Sequence, residues 1–322
     1  MIEDSLAPAQ GGVGLPSIGV VVLNWNGKAD TLACLSSLFS CTYPALHVYV
    51  VDNASSDGSV AAVRGQFGHR SNLTVLESGG NLGFSGGNNV GMRRAVEDGM
   101  RYIILLNNDT EVDAGFLEPL VAAMESDPSI GVVTSKIYFA NPSNKIWFFG
   151  GFMDRNSGLG GPVGGQVVDT GQLNHVVECD YATGCALMTS ADVIRKIGYL
   201  DDDYFYLCED ADFCFRVADA GYRIVAIPES VLWHKVTASL AGGEDSPFRL
   251  YFRARNQMML VAKNKKGFRL SIHGLMLLKY HLTYLARRTV KGMPLRGTLY
   301  YIWGLWDYCR GRKGNIRARR VG

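Results

Sequence analysis

A chain of 322 residues, 47% apolar and 19% charged, carries enough apolar mass for one large folded unit with an appendage, and this composition excludes wholesale disorder. Its seven cysteines include no CxxC pair, which excludes a zinc knuckle and fits free thiols in a reducing compartment. The net charge of +2 hides a division: residues 1–248 hold 14 Lys/Arg against 29 Asp/Glu, whereas residues 249–322 hold 18 Lys/Arg and a single acid, Asp307.

Residues 1–16 are acidic and Gly/Pro-rich and lack the basic and apolar segments of a signal peptide, so a flexible leader is expected there. The branched apolar run at 18–24 predicts a buried strand, and the spacing of Leu32, Leu35 and Leu38 predicts a helix after it. HVYVVD at 47–52 predicts a second strand, residues 62–67 part of a helix, and LTVLES at 73–78 a third strand. A Gly/Asn-rich loop at 79–89 is expected to open a helix at 90–98, ahead of a fourth strand at 102–109. Strands alternating with helices at this spacing imply a parallel sheet, with ligands bound past the carboxyl ends of the strands. Residues 130–200 are richer in Gly and polar groups; within them 158–165 reads as a loop or hairpin, and 190–197 as a short helix behind a Ser-Ala-Asp cap. A helix at 209–220 that stops at Gly221, a strand at 222–228 and the run VLWHK follow. From 247 onward amphipathic helices alternate with basic turns. The longest apolar candidate, Leu270–Ala286, is interrupted by His273, Lys279 and His281, so no transmembrane helix is expected.

The polar residues gather at the predicted strand ends. Asn24, Trp25 and Asn26 follow the first strand, Asp52 and Asn53 the second, with Asp57 in the turn beyond. A carboxylate and an amide there can bind a pyrimidine edge or a ribose; the same residues also serve as turn and cap chemistry. In NLGFSGGNNVG at 81–91, glycines ahead of a helix would let backbone N–H groups approach an anion, with Asn81, Gly83 and Asn88 as candidates. The motif is neither GxGxxG nor a Walker A loop. Asp109, preceded by Asn108, suits a hard divalent cation that bridges a diphosphate, whereas Asp113 is explained as a helix cap. Glu209, Asp210 and Asp212 cluster at a predicted helix start, where the helix dipole favours acids and where a carboxylate can also serve as a general base. His234 follows a strand-like run, and a metal role becomes attractive beside the other motifs.

As an ordered set, VVLNWNG, VDNASSDGS, NLGFSGGNNVG, LLNND, TGCALMTSADVIRKIGYLDDDYFYLCEDADFCFR and WHK resemble glycosyltransferase family two, in the branch of rhamnosyltransferase-like enzymes of bacterial surface-polysaccharide assembly. The resemblance covers residues 18–260. It implies an α/β fold of the GT-A type, a Rossmann-like and mostly parallel sheet flanked by helices, over residues 17–246, with a helical basic extension at 247–322. It implies an inverting transfer from a nucleotide-diphosphate sugar, such as dTDP-rhamnose or a UDP-sugar, to a glycan or lipid-linked acceptor. Asp52 and Asn53 would sit at the donor base, Asp109 and His234 would hold Mg²⁺ or Mn²⁺, and Asp210, beside Glu209, would be the catalytic base. Asn24, Trp25, Asn26, Asp57, Asn81, Gly83, Asn88 and Asn108 complete the expected donor site. Two departures stand out. The triplet reads Asn-Asn-Asp rather than Asp-x-Asp, and an Arg common in the glycine-rich motif is replaced by Gly86 or Gly87, so Arg255 is expected to supply the phosphate or sugar contact.

The basic segment 249–322 interleaves its cations with Tyr280, Tyr284, Tyr300, Tyr301, Trp303 and Trp306. It has none of the usual nucleic-acid motifs, so no nucleic-acid partner is expected; an anionic membrane surface is preferred over a merely solvated basic face. The expected placement is cytoplasmic and peripheral, on the inner face of the cell membrane. Two other functions compete. A sugar-phosphate nucleotidyltransferase would carry a basic Gly-rich loop after the first strand, which LNWNGKAD matches poorly. A non-catalytic relative that binds a nucleotide sugar has no need of the Glu209–Asp210 pair.

Overall fold

The computed structural model describes residues 14–236, 245–264 and 272–315. Residues 1–13 of the expected leader, and the basic stretches 265–271 and 316–322, lie outside them. The first part of the chain alternates strand and helix: β1 (Ile18–Asn24), α1 (Lys28–Leu38), β2 (Leu46–Asp52), α2 (Ser59–Phe67), β3 (Leu73–Glu77), α3 (Gly83–Glu97) and β4 (Tyr102–Asn107). These strands lie in the order β3-β2-β1-β4, all parallel. Their alternate side chains are apolar on both faces. Val20, Val22, Val48 and Val50 enter one core, and Val21, Tyr49 and Val51 the other, as expected of a sheet covered by helices on both sides. The register sets Asn24 opposite Asp52 and Leu23 opposite Asn107, so the polar strand ends form one edge.

The glycine-rich stretch is not the expected loop. α3 begins at Gly83, seven residues earlier than the sequence predicts, and the glycines lie inside it. A Cβ on Gly87 would come within 2.5 Å of Leu23, and one on Gly91 within 2.4 Å of Val21. Their bareness lets the helix lie directly on β1, and that packing overrides the poor helix propensity of glycine.

The chain continues with β5 (Thr110–Val112), α4 (Leu117–Ser126), β6 (Ile130–Phe139), β7 (Ile146–Phe148), the hairpin β8 (Gly151–Asp154) and β9 (Leu159–Pro162), β10 (Val177–Glu178), β11 (Ala186–Ser190), α5 (Ala191–Ile197), α6 (Glu209–Asp219) and β12 (Arg223–His234). The middle region therefore supplies four strands of the main sheet, β6, β7, β10 and β11, that its composition conceals. β11 runs antiparallel between β4 and β6, and β12 pairs parallel with β6, which extends a large, mainly parallel sheet. The expected strand at 222–228 and the run VLWHK are one strand, with a register irregularity between Ile227 and Val231. The Ser190 side chain caps α5 by accepting from the Val193 N–H at 3.1 Å.

The last three helices among the described residues are α7 (Pro247–Asn264), α8 (Ile272–Val290) and α9 (Leu295–Cys309). Leu250 and Ala254 of α7 pack with Tyr301 of α9. The approach is close at Gly304, where a Cβ would stand 2.3 Å from the Tyr251 carbonyl oxygen. Among the described residues no helix is long and apolar enough to cross a membrane.

Candidate active site

Asn24 is the hub of the β1–β2 edge. Its amide nitrogen donates to Asp52 Oδ1 (2.8 Å) and Ser55 Oγ (3.0 Å). Its carbonyl accepts from the Gly27 N–H (3.1 Å), Thr31 Oγ1 (2.9 Å) and the Asn108 amide (3.2 Å). Asp52 also accepts from the Ser55 N–H, and Asn26, left-handed at φ 53°, accepts from the Ser56 N–H. Asp57 takes the N–H groups of Lys28 and Ser59. Burial opposes ionisation of Asp57, but the bonds from Ser59 and Lys28 outweigh it and hold the carboxyl below the usual range. Trp25 stands 57% exposed at the rim of this network.

The start of α3 is closed just as fully. Asn53 accepts from the Leu82 N–H (2.9 Å) and donates to Asn81 (3.2 Å) and the Gly83 carbonyl (3.0 Å). Asn81 accepts from the Gly83 N–H, and the Phe205 carbonyl takes the N–H of Phe84 at 2.6 Å. The N–H groups that a helix start offers an anion are thus already bonded within the protein. Asn88 lies inside the helix and donates to the Phe84 carbonyl.

Asp109 and His234, 125 residues apart, are brought together by the β5–β12 ladder, which sets Thr110 opposite His234. Asp109 Oδ1 lies 2.9 Å from His234 Nε2, and both side chains are almost wholly buried. Trp147 meets the imidazole edge-on at 4.4 Å. Two cis ligands of an octahedral ion with bonds of 2.0–2.1 Å stand about 3 Å apart, so the pair fits two positions of one Mg²⁺-sized ion. Nδ1 of His234 is buried with no hydrogen-bond partner among the described residues, where a metal-bound imidazole usually donates to a second group. Among the described residues no group of three ligating side chains forms a complete cage, so the pair would need oxygens from a bound diphosphate or water.

Glu209 and Asp210 open α6. Asp210 is half-buried; its Oδ2 accepts from the Gly184 N–H at 3.1 Å, which ties it to the turn before β11, and its Oδ1 accepts from the Ala211 N–H at 2.8 Å. Burial pushes its carboxyl above the usual range, and those N–H donors offset part of the shift. Glu209 is buried with Oε2 unpartnered among the described residues, and burial, then the neighbouring Asp210, push it well above the ordinary range. Burial thus opposes ionisation of both carboxyls, and the Asp210 charge opposes that of Glu209 further. Asp212, the third acid, is structural, bonded to Tyr204, Arg216 and Lys263.

The segment before α6 is strained. Phe205, Leu207 and Cys208 all sit in the left-handed region, at φ of 62°, 72° and 74°. Each such residue costs roughly 1–3 kcal/mol and persists only where its surroundings hold it. Here α7 does the holding. Arg255, which the sequence assigns to a phosphate or sugar, is 0% exposed and donates to the carbonyls of Asp203, Tyr204 and Gly314, and to Asn256. Its guanidinium is spent on the backbone and is not brought to the crevice. Asn256 donates to the carbonyls of Tyr204, Tyr206 and Leu207 at 2.7–2.9 Å. Sequence reasoning passes over Asn256 because nothing in a sequence marks a backbone carbonyl some fifty residues away as its acceptor. It also passes over Tyr206 and Arg249. Burial pushes the Tyr206 phenol up; the charge and hydrogen bond of Arg249 oppose this, and the Glu209 and Asp109 carboxylates add to it. Tyr206 thus stands in one electrostatic field with Arg249, Glu209 and Asp109.

This architecture is that of GT-A glycosyltransferases. A solved mannosyltransferase of Pyrobaculum calidifontis, in complex with GDP-Man and Mn²⁺, superposes with a TM-score of 0.58 over 92% of this chain and 88% of that one, at 17% identity. The chain belongs to glycosyl transferase family 2: the model of that family matches residues 19–174, and that of glycosyl transferase family group 2 matches residues 102–306. A low-salt glycan biosynthesis hexosyltransferase of Haloferax volcanii is 27% identical over 205 residues, 63% of this chain and 62% of that relative, so the chain spans less than two thirds of it. A dTDP-rhamnosyl transferase of Shigella flexneri is 22% identical, with 83% of this chain and 87% of that one covered.

Proposed function

We propose that the chain is an inverting glycosyltransferase that moves a hexose or deoxyhexose, rhamnose among them, from a nucleotide-diphosphate donor to a hydroxyl of a glycan or lipid-linked acceptor. The observation that carries this reading is Asp210: half-buried, raised in proton affinity and held by the Gly184 N–H beside Glu209, which shares the field at Tyr206 with Asp109. In this reading residues 17–246 are the catalytic unit and 247–322 its helical support. Asp210 takes the proton of the acceptor hydroxyl as that oxygen attacks the anomeric carbon, a contribution of about 10²–10⁴ in rate. Burial and the Asp210 charge oppose ionisation of Glu209 beside that base. Asp52 and the exposed Trp25 and Asn26 receive the nucleoside. Asn24, Asn53, Asn81 and Asn108 hold that edge in shape. Arg249 replaces Arg255 as the cation on the diphosphate side. A divalent cation, Mg²⁺ or Mn²⁺, held at Asp109 and His234 would offset charge on the leaving diphosphate. A lipid-linked acceptor would place the reaction at the inner face of the cell membrane.

The test is a donor screen in which nucleoside-diphosphate release from UDP-, dTDP- and GDP-sugars is measured with Mn²⁺ or Mg²⁺ and with EDTA. Metal-dependent release from one donor, lost in Asp109→Ala, supports the reading. Binding of a donor with no release, even when a lipid-linked acceptor is supplied, would favour a non-catalytic binding protein.

A further inference from the structure

α8 and α9 each turn one side to the protein and the other to solvent. On α8 the inner side carries Leu277, His281 and Arg288, with His281 Nδ1 2.5 Å from the Tyr301 hydroxyl and Arg288 donating to Thr298 at 3.2 Å. Burial pushes His281 down to about 4, so it is neutral and belongs to the packing. The outer side carries Leu275, Met276, Leu278 and Leu282, which are 52–67% exposed. On α9 the inner side holds Gly297, Tyr301, Gly304 and Asp307, and the outer side Leu295, Leu299, Ile302 and Trp306, 42–72% exposed and spaced i, i+4, i+7, i+11. Scattered exposed apolar residues are ordinary; two consecutive helices with apolar outer stripes are not.

The charge around these stripes has one sign. Lys279 and Arg287 on α8, and Arg296 and Arg310 on and after α9, are exposed, and Arg310 lies over the Trp306 ring at 4.9 Å. The only acid from 272 to 315 is Asp307, which is 0% exposed. A second copy seated here by a two-fold axis would oppose cations to cations with no exposed acid on either helix to pair them. An anionic bilayer suits both properties, since it accepts apolar side chains and attracts basic ones. We propose that the outer sides of α8 and α9 rest on an anionic lipid surface, their apolar stripes at the acyl boundary and their Lys and Arg side chains among the headgroup phosphates. The helices lie on the membrane and do not cross it.

Vesicle binding needs neither donor nor acceptor, so the proposal is separable from the transfer reaction. The full chain is sedimented with vesicles of phosphatidylcholine alone and of phosphatidylcholine with phosphatidylglycerol. Co-sedimentation with the anionic vesicles, weakened by salt and accompanied by a blue shift of tryptophan emission, is expected. Leu282→Ser with Trp306→Ser lowers the partition coefficient by about tenfold or more. Arg296→Gln with Arg310→Gln lowers it roughly thirtyfold, and both double variants keep wild-type donor hydrolysis. No binding to anionic vesicles overturns the proposal. So does binding unchanged in both double variants, or a wild-type dimer that Leu282→Ser with Trp306→Ser converts to a monomer.

Discussion

The two walls of the crevice are built on opposite plans. Along the β1–β2 edge the polar side chains are bonded to one another: Asn24 has five partners and Asn53 closes the start of α3. Around α6 the polar side chains retain capacity: Glu209 Oε2 is buried without a partner among the described residues, and Asp210 is half-buried with raised proton affinity. An edge whose groups are already satisfied is a rigid frame, and a wall that holds acids raised in proton affinity is where proton chemistry is available. Amide-rich motifs at strand ends therefore build the frame as much as they contact the donor.

Substitutions can break or sharpen this contrast. The largest effect is expected at Asp210→Asn, which lowers turnover by about 10²–10⁴ while donor affinity changes little. In the wild type, kcat/KM rises with pH through a value above the ordinary carboxylate range, because burial raises the Asp210 carboxyl. Near-normal turnover in the variant would show that the base lies elsewhere. On the frame side, Asn53→Ala leaves the Leu82 N–H and the Gly83 carbonyl without their partner and costs roughly 3 kcal/mol, read by urea unfolding. Unchanged stability with weakened donor binding would reverse the assignment of Asn53 from frame to ligand. Asn256→Ala loosens the left-handed segment before α6 and lowers kcat by up to about a hundredfold, with donor KM nearly constant and the acidic limb of the pH profile shifted down. A parallel rise in KM, or an unmoved pH profile, would reduce Asn256 to a packing role. The smallest effect is at Glu209→Gln. Burial raises the folded-state pKa of Glu209, so stability is greatest below the unfolded carboxylate pKa and falls as pH rises through the folded value, by at most about 1.4 kcal/mol per pH unit. The variant loses that slope, and stability curves at several pH values measure it.

Much of this was legible in the sequence. Branched apolar runs that end on Asn24, Asp52 and Asn107 announce parallel strands with a polar edge, and the acids of 209–212 announce a helix start. What stayed hidden depends on three-dimensional partners. The first two turns of α3, 83–89, were masked because glycines there and at 91 are tolerated only through contact with Leu23 and Val21. β6 and β11 were masked by the turn-rich segment between them. Arg255 was misread because a basic residue near a diphosphate motif gives no sign that its acceptors are backbone carbonyls. The meeting of Asp109 with His234 was proposed from family resemblance alone, since it requires β12 to pair with β5.

Phe205 joins the two walls. Its carbonyl receives the Phe84 N–H at the head of α3, and its ring stacks on Phe252 of α7 at 5.4 Å. A Cβ on Gly83 would come within 2.4 Å of that ring, so there is no slack on the near side. The residue acts as a rigid coupling rod. A tilt of α7 at Phe252 would therefore press on the head of α3 through a single ring with no room to turn.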